Sequence, residues 1–210
     1  MQFDQRNSII RGLGMDNEKI NELNELVDWA DVAIHNKDYE LALRLLYQAA
    51  GGGHVYAMHN LAHILSLTVH TKVARKEIAR WYRIAAEANG IGFAGSQNNL
   101  GDQYEKGRGV KKSPADAIYW YTRSALQGEP NAYWSLGLCF ADGIGVQKDL
   151  VEAYFWLALA VHHMFEGANL EDAKSKIQVI TELMTDEQID IAIGKATAFR
   201  PYIMTESFIA

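Results

Sequence analysis

The stretch from Leu100 to Ala125, LGDQYEKGRGVKKSPADAIYWYTRSA, returns from Leu136 to Val161 as LGLCFADGIGVQKDLVEAYFWLALAV, at an offset of 36 residues. Repetition at this length means that one supersecondary unit has been copied, and that each copy covers the apolar face of the next. Trp81, Trp120 and Trp156 mark one position of the unit, and Leu45 holds it in the first copy. The step from Trp81 to Trp120 is 39 residues, which three extra residues in the glycine-rich stretch around Asn89 to Gly95 explain.

Each unit reads as two helices. The first carries Ala132, Leu136 and Phe140, echoed by Ser96, Leu100, Tyr104 and by Ala57, Leu61, Leu65, all at i, i+4, i+8 on one stripe. The second shows Ala117, Trp120, Tyr121, Ser124 and Ala125, matched by Ile78, Trp81, Tyr82, Ala85 and Ala86 and by Ala42, Leu45, Leu46, Ala49 and Ala50. That spacing is the period of a buried helical face. Ala62, Gly101 and Gly137 follow the core leucine, where a small residue lets the paired helix approach. Gly107-Arg108-Gly109-Val110 and Gly143-Ile144-Gly145-Val146 lie between the helices, with glycine supplying positive φ at a helix end. Ser113 before Pro114 predicts an N-cap with proline at the first helical position.

Composition agrees with helix. Only three prolines occur in 210 residues, so nothing breaks long helices, and 49% apolar content supplies a continuous core. A net charge of −6 argues against a phosphate-binding face, hence against nucleic acid as partner. The lone Cys139 excludes an intrachain disulfide and a multi-cysteine zinc site. The N-terminal residues lack the apolar core of a secretory signal, and no run approaches the ~20 apolar residues of a membrane span. The expectation is a cytoplasmic protein without membrane insertion.

These residues resemble the Sel-one-like repeat family, relatives of the tetratricopeptide repeats, whose unit runs roughly A-x3-LG-x2-Y-x2-G-x-GV-x2-D-x3-A-x2-WY-x2-AA-x2-G. The resemblance covers about residues 38–163. Two departures stand out. The segment from Asn17 to Gly51 lacks the GxGV loop and joins its helices at Asn36-Lys37-Asp38, and the next unit has Ser66 to Thr71 where that loop belongs. The tail from Asn169 to Arg200 keeps apolar periodicity without the motif, and Thr185 with Gln188 predicts a capping box. The expected organisation is an N-terminal segment at 1–15, loosely ordered, then a tetratricopeptide-like helix pair at 16–51, Sel-one-like repeats at 52–163 and capping helices at 164–210. That makes about ten helices in five antiparallel pairs. The resemblance implies an all-α, right-handed superhelical solenoid, a non-catalytic adaptor or scaffold that binds a protein or peptide on its concave face. A family member can also act as an immunity or regulatory protein that sequesters a toxin or enzyme. The family is widespread in bacteria, and a monomer or weak dimer is expected.

In that fold first helices line the concave face. Helical geometry aligns His59 with His63, Asn98 with Asp102 and Trp134 with Leu138, so these six residues are the candidate partner-binding line. Trp134 is either an exposed anchor, whose replacement by alanine leaves the melt nearly unchanged, or a side chain packed against the cap helices. His59 and His63, at i and i+4, could chelate zinc for a metal-dependent hydrolase. However, Asn60 stands where a metalloprotease needs glutamate, no third ligand is assigned, and both fall off the core stripe on the helix side expected to be exposed. No metal or other cofactor is therefore assigned. The GxG loops lack the preceding strand and third glycine of a dinucleotide site and read as turns. Cys139 has no histidine nearby to activate it and reads as an inert thiol.

Overall fold

The computed structural model describes residues 16–164 and 166–201. The segment 1–15 set apart above, and the end of the chain from 202, lie outside the described residues. Among the described residues the chain is all-α, with ten α-helices, one 3₁₀ turn and no strand. They are α1 (Asn17–His35), α2 (Tyr39–Gly51), α3 (Val55–Thr68), α4 (Lys72–Glu87), α5 (Ala94–Lys106), α6 (Pro114–Leu126), α7 (Pro130–Asp142), α8 (Leu150–His163), α9 (Ala168–Thr181) and α10 (Asp186–Ala198), with the 3₁₀ turn at Ala88–Gly90.

Side-chain caps set most of the helix starts. Asp16, Asp38, Thr71, Ser113 and Asp149 each accept a backbone N–H from the first turn that follows. Thr185 and Gln188 close the expected capping box. His54 caps α3 in a less usual way. Its Nδ1 accepts from the Ala57 N–H, so the ring proton resides on Nε2, which meets Asn24 Oδ1 at 3.1 Å. The ring is fully buried and ties α3 to α1.

The GxG loops repeat atom for atom. Gly107 (φ 67°) and Gly143 (φ 74°) end α5 and α7 in the left-handed region. The next residues, Arg108 and Ile144, donate their N–H to Gln103 O and Cys139 O, both at 2.9 Å. Thirty-six residues separate the partners, as they do in the pair Ser113 N–H to Tyr104 O and Asp149 N–H to Phe140 O. The second glycine has another reason. A Cβ on Gly109 would lie 1.9 Å from the Arg75 carbonyl oxygen, and one on Gly145 would lie 2.4 Å from that of Pro114. Each loop lays its backbone directly on the first turn of the preceding second helix. Gly137 likewise admits Leu157, whose Cγ would be 2.5 Å from a Cβ there.

The chain divides into two compact units. One runs to Gln103 and includes Gly107–Lys111; the other takes Tyr104–Lys106 and the chain from Lys112 onward. The first unit's core is built by Leu46, Leu61 and Tyr82, on the stripes read from the sequence, together with Leu23, Val27 and Ile64, which those stripes did not include. In the second, Tyr121, Tyr133, Leu136, Phe155, Trp156 and Leu157 form one cluster. Helices α9 and α10 both pack on α8 and bury Leu170, Ala173, Ile180 and Ala192. These two helices therefore share α8 as their packing partner and cover it with buried apolar side chains.

Candidate functional site

The six residues of the first-helix line fall into both units. His59, His63, Asn98 and Asp102 belong to the first, and Trp134 and Leu138 to the second.

In the first unit His63 is exposed, as expected, but His59 is not. Its ring lies 4.9 Å from that of Phe93 and 5.8 Å from that of Tyr82, and Nδ1 meets Ser96 Oγ at 2.9 Å. Burial, and to a lesser degree His63, pushes its pKa down to about 4. The solvent-side placement fails here because Phe93, in the stretch that breaks the repeat step, folds over the imidazole. Burial also lowers the pKa of His63, which favours its neutral imidazole. Among the described residues no group of three or more His, Cys, Asp or Glu side chains could hold a metal ion.

A cleft of about 220 Å³ opens beside His63, lined by Ser66, Tyr82, Asn99, Asp102, Gln103 and Arg108. Arg108, the variable residue of the GxG loop, reaches back to Asp102 at 3.5 Å. The Tyr82 hydroxyl is bonded to Asn99 and Ser66, and burial pushes its pKa up to about 12. The Ser66 hydroxyl donates to the His63 carbonyl at 2.7 Å, the local back-bond of a helical serine. With that proton directed at the backbone, Ser66 and His63 do not form a nucleophile and base pair. What the cleft offers is an amide, imidazole and ion-pair surface that can hydrogen-bond a polar chain. His63 and Asp102 were legible from the line; Arg108, Asn99 and Tyr82 were not, because they arrive from a loop, a neighbouring face and the second helix. Asn98 is half-buried, with its Nδ2 3.4 Å from Asn99 Oδ1.

In the second unit Trp134 takes the packing alternative. It is half-buried against the cluster, and its indole N–H donates to Asp172 of α9 at 2.8 Å. The exposed-anchor expectation is thereby corrected, because the cap helix supplies the indole with an acceptor. Leu138 is half-buried. Cys139 is buried, its thiol pushed up to about 12 by burial and by Glu105, which also accepts the Tyr121 hydroxyl at 2.9 Å. It is the inert thiol expected.

The model of the Sel1 repeat matches residues 35–54, 79–90, 94–129 and 130–162. The chain belongs to the Sel1-repeat family. The unmatched stretch between 54 and 79 holds α3 and the Ser66 to Thr71 turn, where the Sel1 glycine loop is replaced. No curated protein matches the chain significantly. Among solved structures, a protective antigen of uropathogenic Escherichia coli described as displaying an SLR fold shares 27% identity with a TM-score of 0.67. It is aligned over 75% of this chain, which spans only 32% of that one. A Sel1 repeat protein from Oxalobacter formigenes shares 26% identity with a TM-score of 0.65, over 80% of this chain and 66% of that one. Sel1 repeats are generally non-catalytic protein-interaction modules. No helix among the described residues is long and apolar enough to cross a membrane.

Proposed function

We propose that this Sel1 protein is a non-catalytic adaptor or scaffold that holds a partner protein through the first helices of its first unit, at the cleft beside His63. The observation that carries the reading is the chemistry of that cleft. Positions left free by the repeat pattern supply the exposed His63 imidazole, the half-buried Asn99 carboxamide and an Asp102–Arg108 pair, with Gln103 buried behind them, on a framework the buried stripes hold rigid. Such a surface suits the backbone and polar side chains of an extended peptide segment, while the ion pair gives it a direction.

Affinity capture with the whole chain, followed by mass spectrometry, tests this. A partner should be retained by the native chain and bound at least about tenfold more weakly by Asp102→Ala/Arg108→Ala, which removes both charges together, and by His63→Ala. Trp134→Phe, in the second unit, should leave capture unchanged. A partner that both cleft variants hold as tightly as the native chain would place the interface elsewhere.

A further inference from the structure

Trp29 is the most exposed tryptophan of the described residues, at 65%, on a helix outside the repeat motif. Trp120 and Trp156 are buried, Trp81 is half-buried with its N–H on Glu77, and Trp134 is half-buried with its N–H on Asp172. Trp29 has neither kind of cover: its indole meets no hydrogen-bond acceptor among the described residues. The stripe Ile20, Leu23, Val27, Ala30 and Ala33 faces the core, and Glu22, Glu25, Trp29 and Val32 form the opposite stripe at i, i+3, i+7, i+10. Val32 is 52% exposed, so the two apolar side chains make one patch.

The patch lies in register with the candidate line. Burial aligns Leu23, Val27 and Ala30 of α1 with Ala57, Leu61 and Ile64 of α3, a step of 34 residues, and this puts Glu25 and Trp29 at the positions of His59 and His63. The two helices are neighbours, joined by Asn60 Nδ2 to Asp31 Oδ1 at 3.2 Å and by the His54–Asn24 contact. The charge of α1 is one-sided: Glu18, Glu22, Glu25, Asp28 and Asp31 against Lys19. A second copy of this face, or an anionic membrane, would meet like charge. A cation would meet both the carboxylates and the indole face, which attracts it through the ring quadrupole.

We propose that the Trp29–Val32 face of α1 docks a positively charged peptide segment of the partner, with a Lys or Arg side chain over the indole, Glu25 and Asp28 beside it, and an apolar neighbour against Val32. This rests on the reading of the first unit's first helices as the partner-binding side and names the chemistry of what they take. The test uses the whole chain and short labelled synthetic peptides alternating arginine with leucine, their lysine counterparts, and a glutamate–leucine control, read by fluorescence anisotropy. The basic peptides should bind, weaken as salt rises, and lose at least about tenfold in affinity with Trp29→Ala and with Glu25→Lys. The melting temperature should stay put, because both side chains are exposed. Binding no better than that of the glutamate control, or binding indifferent to Trp29→Ala, overturns the proposal. So does a dimer in light scattering that Trp29→Ala dissolves, since the occupant would then be a second copy. A natural partner lost by the Asp102/Arg108 variant but kept by Trp29→Ala would sink this proposal alone and leave the cleft reading standing.

Discussion

His59 shows how much of a residue's role is fixed by a neighbour that the repeat does not specify. Its pKa, pushed to about 4 from the ordinary 6.5, means that the folded site refuses a proton that the unfolded chain accepts. Above 6.5 both states are neutral and the group contributes nothing to pH dependence. As pH falls from 6.5 towards 4 the unfolded chain alone gains the proton, so stability declines, with a slope of at most about 1.4 kcal/mol per pH unit. Below 4 the folded form protonates as well and the decline ends. Denaturant unfolding at about pH 7 and about pH 4.5 should therefore show a smaller loss for His59→Phe than for the native chain; an identical loss would show that the ring is not held neutral. Trp134 makes the opposite case. Packed and bonded to Asp172, it should cost roughly 3 kcal/mol or more when cut to alanine, with a lowered melt, and only about 1 kcal/mol as Trp134→Phe, which loses the hydrogen bond but keeps most of the packing. The line of six residues was legible in the sequence because i, i+4 spacing is a property of the helix alone. Which of them met solvent was not, because Phe93 and Asp172 come from an insertion and from a cap helix.

At the scale of the element, the glycine loop separates two uses of one residue type. A would-be Cβ on Gly143 meets only ordinary van der Waals neighbours, Lys148 and Val146 at 3.5–3.7 Å, so the position needs only its φ of 74°. Gly145 has the same φ and, in addition, the Pro114 carbonyl oxygen at 2.4 Å. Gly143→Ala should cost about 1 kcal/mol, and Gly143→Asn less, since asparagine tolerates the left-handed region. Gly145→Ala must also push the loop off α6 and should cost about 2 kcal/mol or more. Thermal melts of the three variants rank them; equal losses for Gly143→Ala and Gly145→Ala would mean that the loop moves away freely. Turn, caps and buried stripes were all legible in the second unit because glycine, proline and small-residue spacing act locally. The replaced turn at Ser66 to Thr71 shows the same rule in other residues: α3 ends at Val69 in extended backbone and Thr71 caps α4. Trp29 was not legible as a site for a different reason: α1 carries no repeat motif against which an exposed tryptophan would stand out.

For the molecule as a whole, a copied unit leaves an apolar face for its neighbour to cover, and after α8 the neighbour is a helix pair without the repeat motif. After His163 the sequence shows only periodicity, and the physical solution is more particular than a fifth copy of the repeat: α9 and α10 both lean on α8, and Phe199 adds its ring to Tyr133, Phe155 and Trp156 at 5.6–5.9 Å. Leu170 and Ile180 alone bury side chains worth about 1.5–3 kcal/mol each. A chain ending at His163 should thus lose several kcal/mol of stability and uncover the Phe155 and Trp156 rings of α8 that Phe199 packs on, as one apolar strip. It is expected to self-associate, visible as concentration-dependent mass in light scattering, and to unfold at a lower denaturant midpoint. The extent of the loss identifies what the cap is for. A truncated chain that stays monomeric with an unchanged midpoint would mean that α8 is held by α7 alone. One that associates yet keeps the native midpoint would make the cap a device for solubility. Loss of both together is what the shared burial of α9 and α10 requires, because the same side chains that shield the strip from a second copy also hold α8 in place.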